Sequence, residues 1–166
     1  MLSSNIKLLL LTILSVAWYP YLVVANKVTV NAVNLNVPSN DVIDSWNHDL
    51  ANNLIATNIN VKKNCPGVVQ AEIKIYKGDS VVNQMVQTLD KPIEDLKSYG
   101  ICESIDSPDL DDDSCSVAQG EQAFKDCDVS EWFNNMDPGN YKADCNLKIG
   151  NNVISSGSLE VTVESG

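Results

Sequence analysis

Five cysteines, a single histidine and a run of aspartates carry most of the reactive chemistry of this sequence, and their spacing limits what each can do. No two of Cys65, Cys102, Cys115, Cys127 and Cys145 are separated by two residues, which argues against a zinc knuckle and for disulfides. Five is an odd number, so one thiol is left over, and about fifteen ways remain to draw two bridges. His48 has no glycine-flanked serine elbow or cysteine partner in the sequence, and a solvated histidine is the expected reading. Asp106, Asp109, Asp111, Asp112 and Asp113 offer the oxygen atoms that calcium favours, but without the glycine turn and closing glutamate of an EF-hand loop. A solvated acidic loop is expected there, and no metal, cofactor or catalytic constellation is expected anywhere.

The remaining chemistry is apolar. Trp132, Phe133 and Met136 crowd into one short segment just before the turn residues Pro138 and Gly139. Such a group either packs the core or lines the entrance to a space for an apolar ligand.

The ends and the composition define the setting. Lys7 precedes a continuous apolar run over residues 8–17, the charged and apolar regions of a secretory signal peptide. The run is shorter than the about 20 residues a membrane helix needs, so no stable membrane anchor is expected. Cleavage is expected after Ala25, with Ala17 as the other site that satisfies the small-residue rule, giving a signal peptide over 1–25 and one domain over 26–166. A secreted, extracellular location follows, with oxidised cysteines. The net charge of −11 is carried with no arginine at all, which argues against nucleic acid or anionic membrane surfaces as partners. No Asn-x-Ser/Thr sequon occurs.

The elements that would position these groups read as strands. Val28, Val30 and Ala32 alternate with polar residues, and Val33, Leu35 and Val37 continue after a one-residue shift, the pattern of a bulged strand. Over residues 41–51 a short helix capped by Ser39 or Asn40 competes with an irregular strand, because Val42, Ile43, Trp46, Leu50 and Leu54 fall at helical spacing. The alternating runs 55–61 and 69–75 read as an antiparallel pair, followed by a turn at 77–80 and a further apolar run. Residues 89–114 read as a long loop, for which Cys102 and Cys115 would be natural clamps. Residues 117–124, 141–149 and 153–163 are strands, the last two joined by a hairpin at 150–152. Seven or so short strands with regular turns imply an all-β, antiparallel β-sandwich of two sheets, with room for one short helix.

Leu96-Lys97-Ser98-Tyr99-Gly100, the segment Cys115-Ser116-Val117-Ala118-Gln119-Gly120, Trp132-Phe133 and Gly139-Asn140-Tyr141 together resemble the ML lipid-recognition family, nearest its ganglioside activator branch, over roughly residues 96–163. This chain departs from the family pattern in having Ser116 in place of a proline and no cysteine before Cys65. The resemblance implies an immunoglobulin-like sandwich with an apolar cavity between its sheets, binding a lipid without catalysis. It places Tyr99, Ile101, Val117 and Tyr141 beside Trp132, Phe133 and Met136 at the cavity or its mouth. Cys127 and Cys145 have no family counterparts; the expected bridges are Cys102–Cys115 first and Cys127–Cys145 next, with Cys65 left over. The expected function is therefore a secreted lipid or hydrophobic-ligand carrier with a receptor protein as a further partner. The alternative is a secreted protein-binding module, such as a venom, salivary or immune factor, with a closed core.

Overall fold

A computed structural model describes residues 26–66, 68–109 and 115–166. The expected signal peptide, with both cleavage sites, and Asp111 to Asp113 lie outside the described residues. Strand β1 (Lys27–Asn36) begins the fold, and its change of alternation is a bulge: the register against its neighbour slips between Val30 and Ala32. The slip returns Val33 and Leu35 to the face already occupied by Val28 and Val30, so one strand keeps a single apolar side along its length.

The segment 41–51 is a strand, β2 (Ile43–Ala51), paired with β3 (Leu54–Val61). A bulge between Ile43 and Ser45 places Trp46 three positions on from Ile43, and two strand repeats place Leu50 four positions on from Trp46. A bulged strand thereby imitates helical spacing. Asn40 also behaves as a helix cap would, its Oδ1 accepting from the backbone N–H of Val42 and Ile43 at 2.8 and 2.7 Å. Its Nδ2 donates to the Ile154 carbonyl, however, and this long-range bond fixes an extended entry into β2.

After β4 (Cys65–Pro66) come β5 (Val69–Lys77) and β6 (Ser80–Leu89), a hairpin turned at Gly78 with φ of 59°. The expected long loop over 89–114 contains helix α1 (Pro92–Tyr99) and strand β7 (Cys102–Asp106). This is the fold's one α-helix among the described residues, and it lies outside the segment where a helix competed with a strand. The expected strand over 117–124 divides at Ala118 and Gln119 into β8 (Cys115–Val117) and β9 (Gly120–Cys127). A 3-10 turn (Ser130–Trp132), β10 (Gly139–Ile149) and β11 (Asn152–Glu164) complete the chain.

Two antiparallel sheets form the sandwich, in the orders β1-β11-β10-β5-β6 and β2-β3-β9-β7, with β4 and β8 as a separate two-stranded ladder. The expected pairing of 55–61 with 69–75 does not form. β3 joins β2 and β9, whereas β5 joins β10 and β6 in the opposite sheet. Alternation gives each strand an apolar face but does not name its neighbour.

The sheets are stitched at the β2–β3 turn. Asn52 and Asn53 take the left-handed backbone (φ 53° and 68°), which asparagine tolerates well in two-residue hairpins. The Asn53 side chain then reaches β1, accepting from Val30 N–H at 2.5 Å and donating to the Val28 carbonyl at 3.2 Å. Asn53→Ala removes both bonds and is expected to cost about 1–3 kcal/mol in a denaturant titration, at roughly 0.5–1.5 kcal/mol per bond.

Candidate functional site

Residues of like parity on the inner faces fall into two apolar clusters. One contains Val28, Val30, Ile75, Phe133, Tyr141 and Val161 among its buried members; the other contains Val42, Ile43, Val61, Val69 and Ile154. Along β10, Tyr141 is buried in the first cluster, Ala143 packs against it, and Leu147 packs against the second. Cys145, two residues from each of the latter, therefore occupies the same inward face midway between the clusters.

The register builds a layer across the five-stranded sheet at this level. Leu35 opposes Gly157, Gly157 opposes Cys145, Cys145 opposes Ile73, and Ile73 opposes Met85. Across the sandwich the matching layer runs His48, Thr57, Phe124. Ile105 extends it on β7. A sandwich interior about 10 Å thick is ordinarily filled by large aliphatic side chains. This middle layer has a glycine and a cysteine at the centre of the five-stranded sheet, and a threonine beside buried Phe124 at the centre of the four-stranded one. Leu35 lies over Gly157 so closely that a Cβ there would come within 2.8 Å of its Cδ2. At the far edge Met85 is 40% exposed although it is paired with half-buried Ile73. β6 and β7 are the edge strands of the two sheets on the side away from β1 and β2, and α1 connects them.

The residues expected at the cavity or its mouth separate into three groups. Phe133, Met136, Ile101 and Tyr141 come together in or against the first cluster. Phe133 is completely buried, its ring centroid 6.4 Å from that of Tyr141, so it is a core plug. Tyr141 donates its hydroxyl to the Asp137 carbonyl at 2.6 Å, and Lys77 Nζ stands 5.3 Å from the ring centroid. Val117 packs at the opposite end, against the second cluster. Trp132 is 52% exposed on the 3-10 turn. Tyr99 closes α1. Sequence reasoning missed the middle layer, because Leu35, Ile73, Met85, Cys145 and Gly157 lie on different strands and only the register gathers them.

Two hollows on the surface lie elsewhere. One, about 400 Å³, is on the outer face of the five-stranded sheet around Asn31, Lys142 and Glu160; the other, about 460 Å³, is at the end of the molecule around Asn40, Lys63 and Asn152. Among the described residues one buried polar side-chain atom lacks a partner: Gln122 Oε1, on the β9 strand beside Ile59, while its Nε2 donates to the Ala118 carbonyl at 3.0 Å.

The cysteines pair differently from the expectation. Cys102 is bonded to Cys127, its ladder partner on β9, so neither the Cys102–Cys115 nor the Cys127–Cys145 bridge exists. Cys102 and Cys115 flank a loop in sequence, but β7 is held to β9, and that neighbour decides the bond. Cys145 is a free thiol, and burial pushes it up to about 11. The fold favours the neutral thiol, so its contribution to stability is present below about pH 9 and is lost as pH rises toward 11. Native Cys145 is therefore expected to react with iodoacetamide at pH 8 about 100-fold more slowly than the same residue in denaturant, since only the thiolate attacks.

No protein-family model matches the chain, and no curated protein matches it.

Proposed function

We propose that this chain is a secreted, non-enzymatic carrier that holds a lipid or other apolar ligand between its two sheets. The observation that carries the reading is the middle layer: two apolar clusters stand apart, and Gly157, Cys145 and Thr57 lie between them beside buried Phe124. The motifs that resemble the ML family, and the apolar N-terminal run, support the same reading. Each methylene taken from water contributes about 0.8 kcal/mol, so a ten-carbon segment offers useful affinity before ordering costs are subtracted. Both hollows lie outside the space between the sheets, so the ligand enters as the β6 and β7 edges part. Gln122 Oε1 then offers an acceptor to a ligand that carries one hydroxyl.

Protein secreted from the full-length sequence and extracted with chloroform and methanol is expected to release lipid, and the delipidated protein to bind a fluorescent apolar probe that long-chain alcohols displace. Cys145→Phe fills the middle layer and is expected to abolish probe binding while the protein stays folded. An empty extract together with no probe binding would sink the proposal.

A second reading, a secreted protein-binding module, draws on the exposed Val81, Val82 and Val86 of edge strand β6. There Cys145→Phe would leave partner binding intact, whereas charged substitutions at Val82 and Val86 would remove it.

A further inference from the structure

We infer that Cys65 and Cys115 form a second disulfide, and that this bridge is a covalent tie between the two sheets. The ladder of β4 and β8 is antiparallel, with Pro66 opposite Cys115 and Cys65 opposite Val117. Opposed Cα atoms in such a ladder are about 4.5–5.5 Å apart, and one step along a strand is about 3.4 Å. Cys65, one step from Pro66, is then about 6 Å from Cys115, inside the about 4.4–6.8 Å span that a disulfide bridges.

The other cysteines leave these two to each other. Cys102 and Cys127 are joined, and Cys145 lies in the middle of the five-stranded sheet with Gly157 and Ile73 as its register neighbours. A side-chain bond holds the ladder in place from beside it: Asn64 Oδ1 accepts from the Gln119 backbone N–H at 2.7 Å.

The consequence follows from connectivity. β4 leads into β5 of the five-stranded sheet, and β8 leads into β9 of the four-stranded sheet. Cys102–Cys127 lies within one sheet, whereas Cys65–Cys115 joins the approaches to both. It sets the spacing of the sheets beside the second apolar cluster, where Val117 packs, and leaves the β6 and β7 edges untied. The bond forms by exchange with an oxidised dithiol carrier. The two thiols give up two protons and two electrons, the carrier's S–S bond opens to two thiols, and the Sγ–Sγ bond closes. This holds whether or not the chain carries a ligand.

The test is a peptide map of the full chain secreted from a host with an oxidising export pathway. Free thiols are blocked with iodoacetamide in denaturant, and the chain is cut without reduction at the acidic residues between Cys102 and Cys115, so that the two fall in different peptides. The expected result is one linked pair containing Cys65 and Cys115, one containing Cys102 and Cys127, and alkylation at Cys145 alone. Alkylated Cys65 and Cys115, or either joined to Cys145 or to a second chain, overturns the inference. Cys65→Ser and Cys115→Ser are each expected to expose one new thiol and to lower Tm equally, with no further loss in the double variant. Additive losses would mean that the two residues act separately.

Discussion

Phe133→Ala is expected to destabilise the protein by about 3–5 kcal/mol in a urea or guanidinium titration. Its ring is completely buried, it meets Tyr141 in a tilted aromatic pair, and it sits where the 3-10 turn closes over the first apolar cluster. Truncation leaves a cavity that β1, β10 and β11 cannot fill without moving, since their apolar side chains already meet there. The neighbouring Trp132→Ala provides the control. Half of that indole faces solvent, and its loss is expected to change stability by less than about 0.5 kcal/mol. Equal losses at the two positions would show that the turn is seated the other way round, with the indole inside.

Removing the Cys102–Cys127 bridge with paired serine substitutions is expected to cost about 3–4 kcal/mol, the chain-entropy value for a loop of 25 residues. The loss should also be local. β7 is an edge strand of five residues whose ladder is confined to β9, and the bridge joins the pair at one end of that ladder. Hydrogen exchange should accelerate through β7 and α1 before it does in β10 and β11. Cys145→Ser is the comparison: it removes no bond, and exchange over β7 should be unchanged. A uniform rise in exchange over both sheets would mean that the bridge supports the sandwich as a whole.

The two experiments bear on the proposed route of ligand entry from opposite sides. The first cluster, with Phe133 and Tyr141, closes one end of the sandwich, and the β7 edge is held by its bridge. Between them lies the layer of Gly157, Cys145 and Thr57, beside buried Phe124. Exposed Met85 marks the edge at which that layer meets solvent.

How much of this was legible beforehand differs from element to element. The alternation in β1, β10 and β11 and the slip at Val30 are written in one stretch of chain each, so they could be read there. β2 was ambiguous because a bulge converts a period of two into steps of three and four. α1 was hidden by its length of eight residues and by Lys91 at its N-cap, which makes no side-chain capping bond. Among the expected ligand-facing residues, Trp132, Phe133 and Met136 were legible as a group that either packs the core or lines an entrance, but nothing local distinguished Phe133, inside, from Trp132, outside. One residue of rotation on a 3-10 turn makes that difference.

Composition and local pattern alone determined the all-β class, the two-sheet architecture and the acidity without arginine, because each is a property of residue types or of neighbours in sequence. Tertiary structure alone decided which strands are neighbours. That choice bonded Cys102 to Cys127 instead of Cys115, separated β3 from β5, and brought Leu35, Gly157, Cys145, Ile73 and Met85 from five strands into one layer. The physical reason is that alternation tells a strand which face to bury, whereas its partner and register are set by the summed fit of whole faces and turns, which no single segment contains.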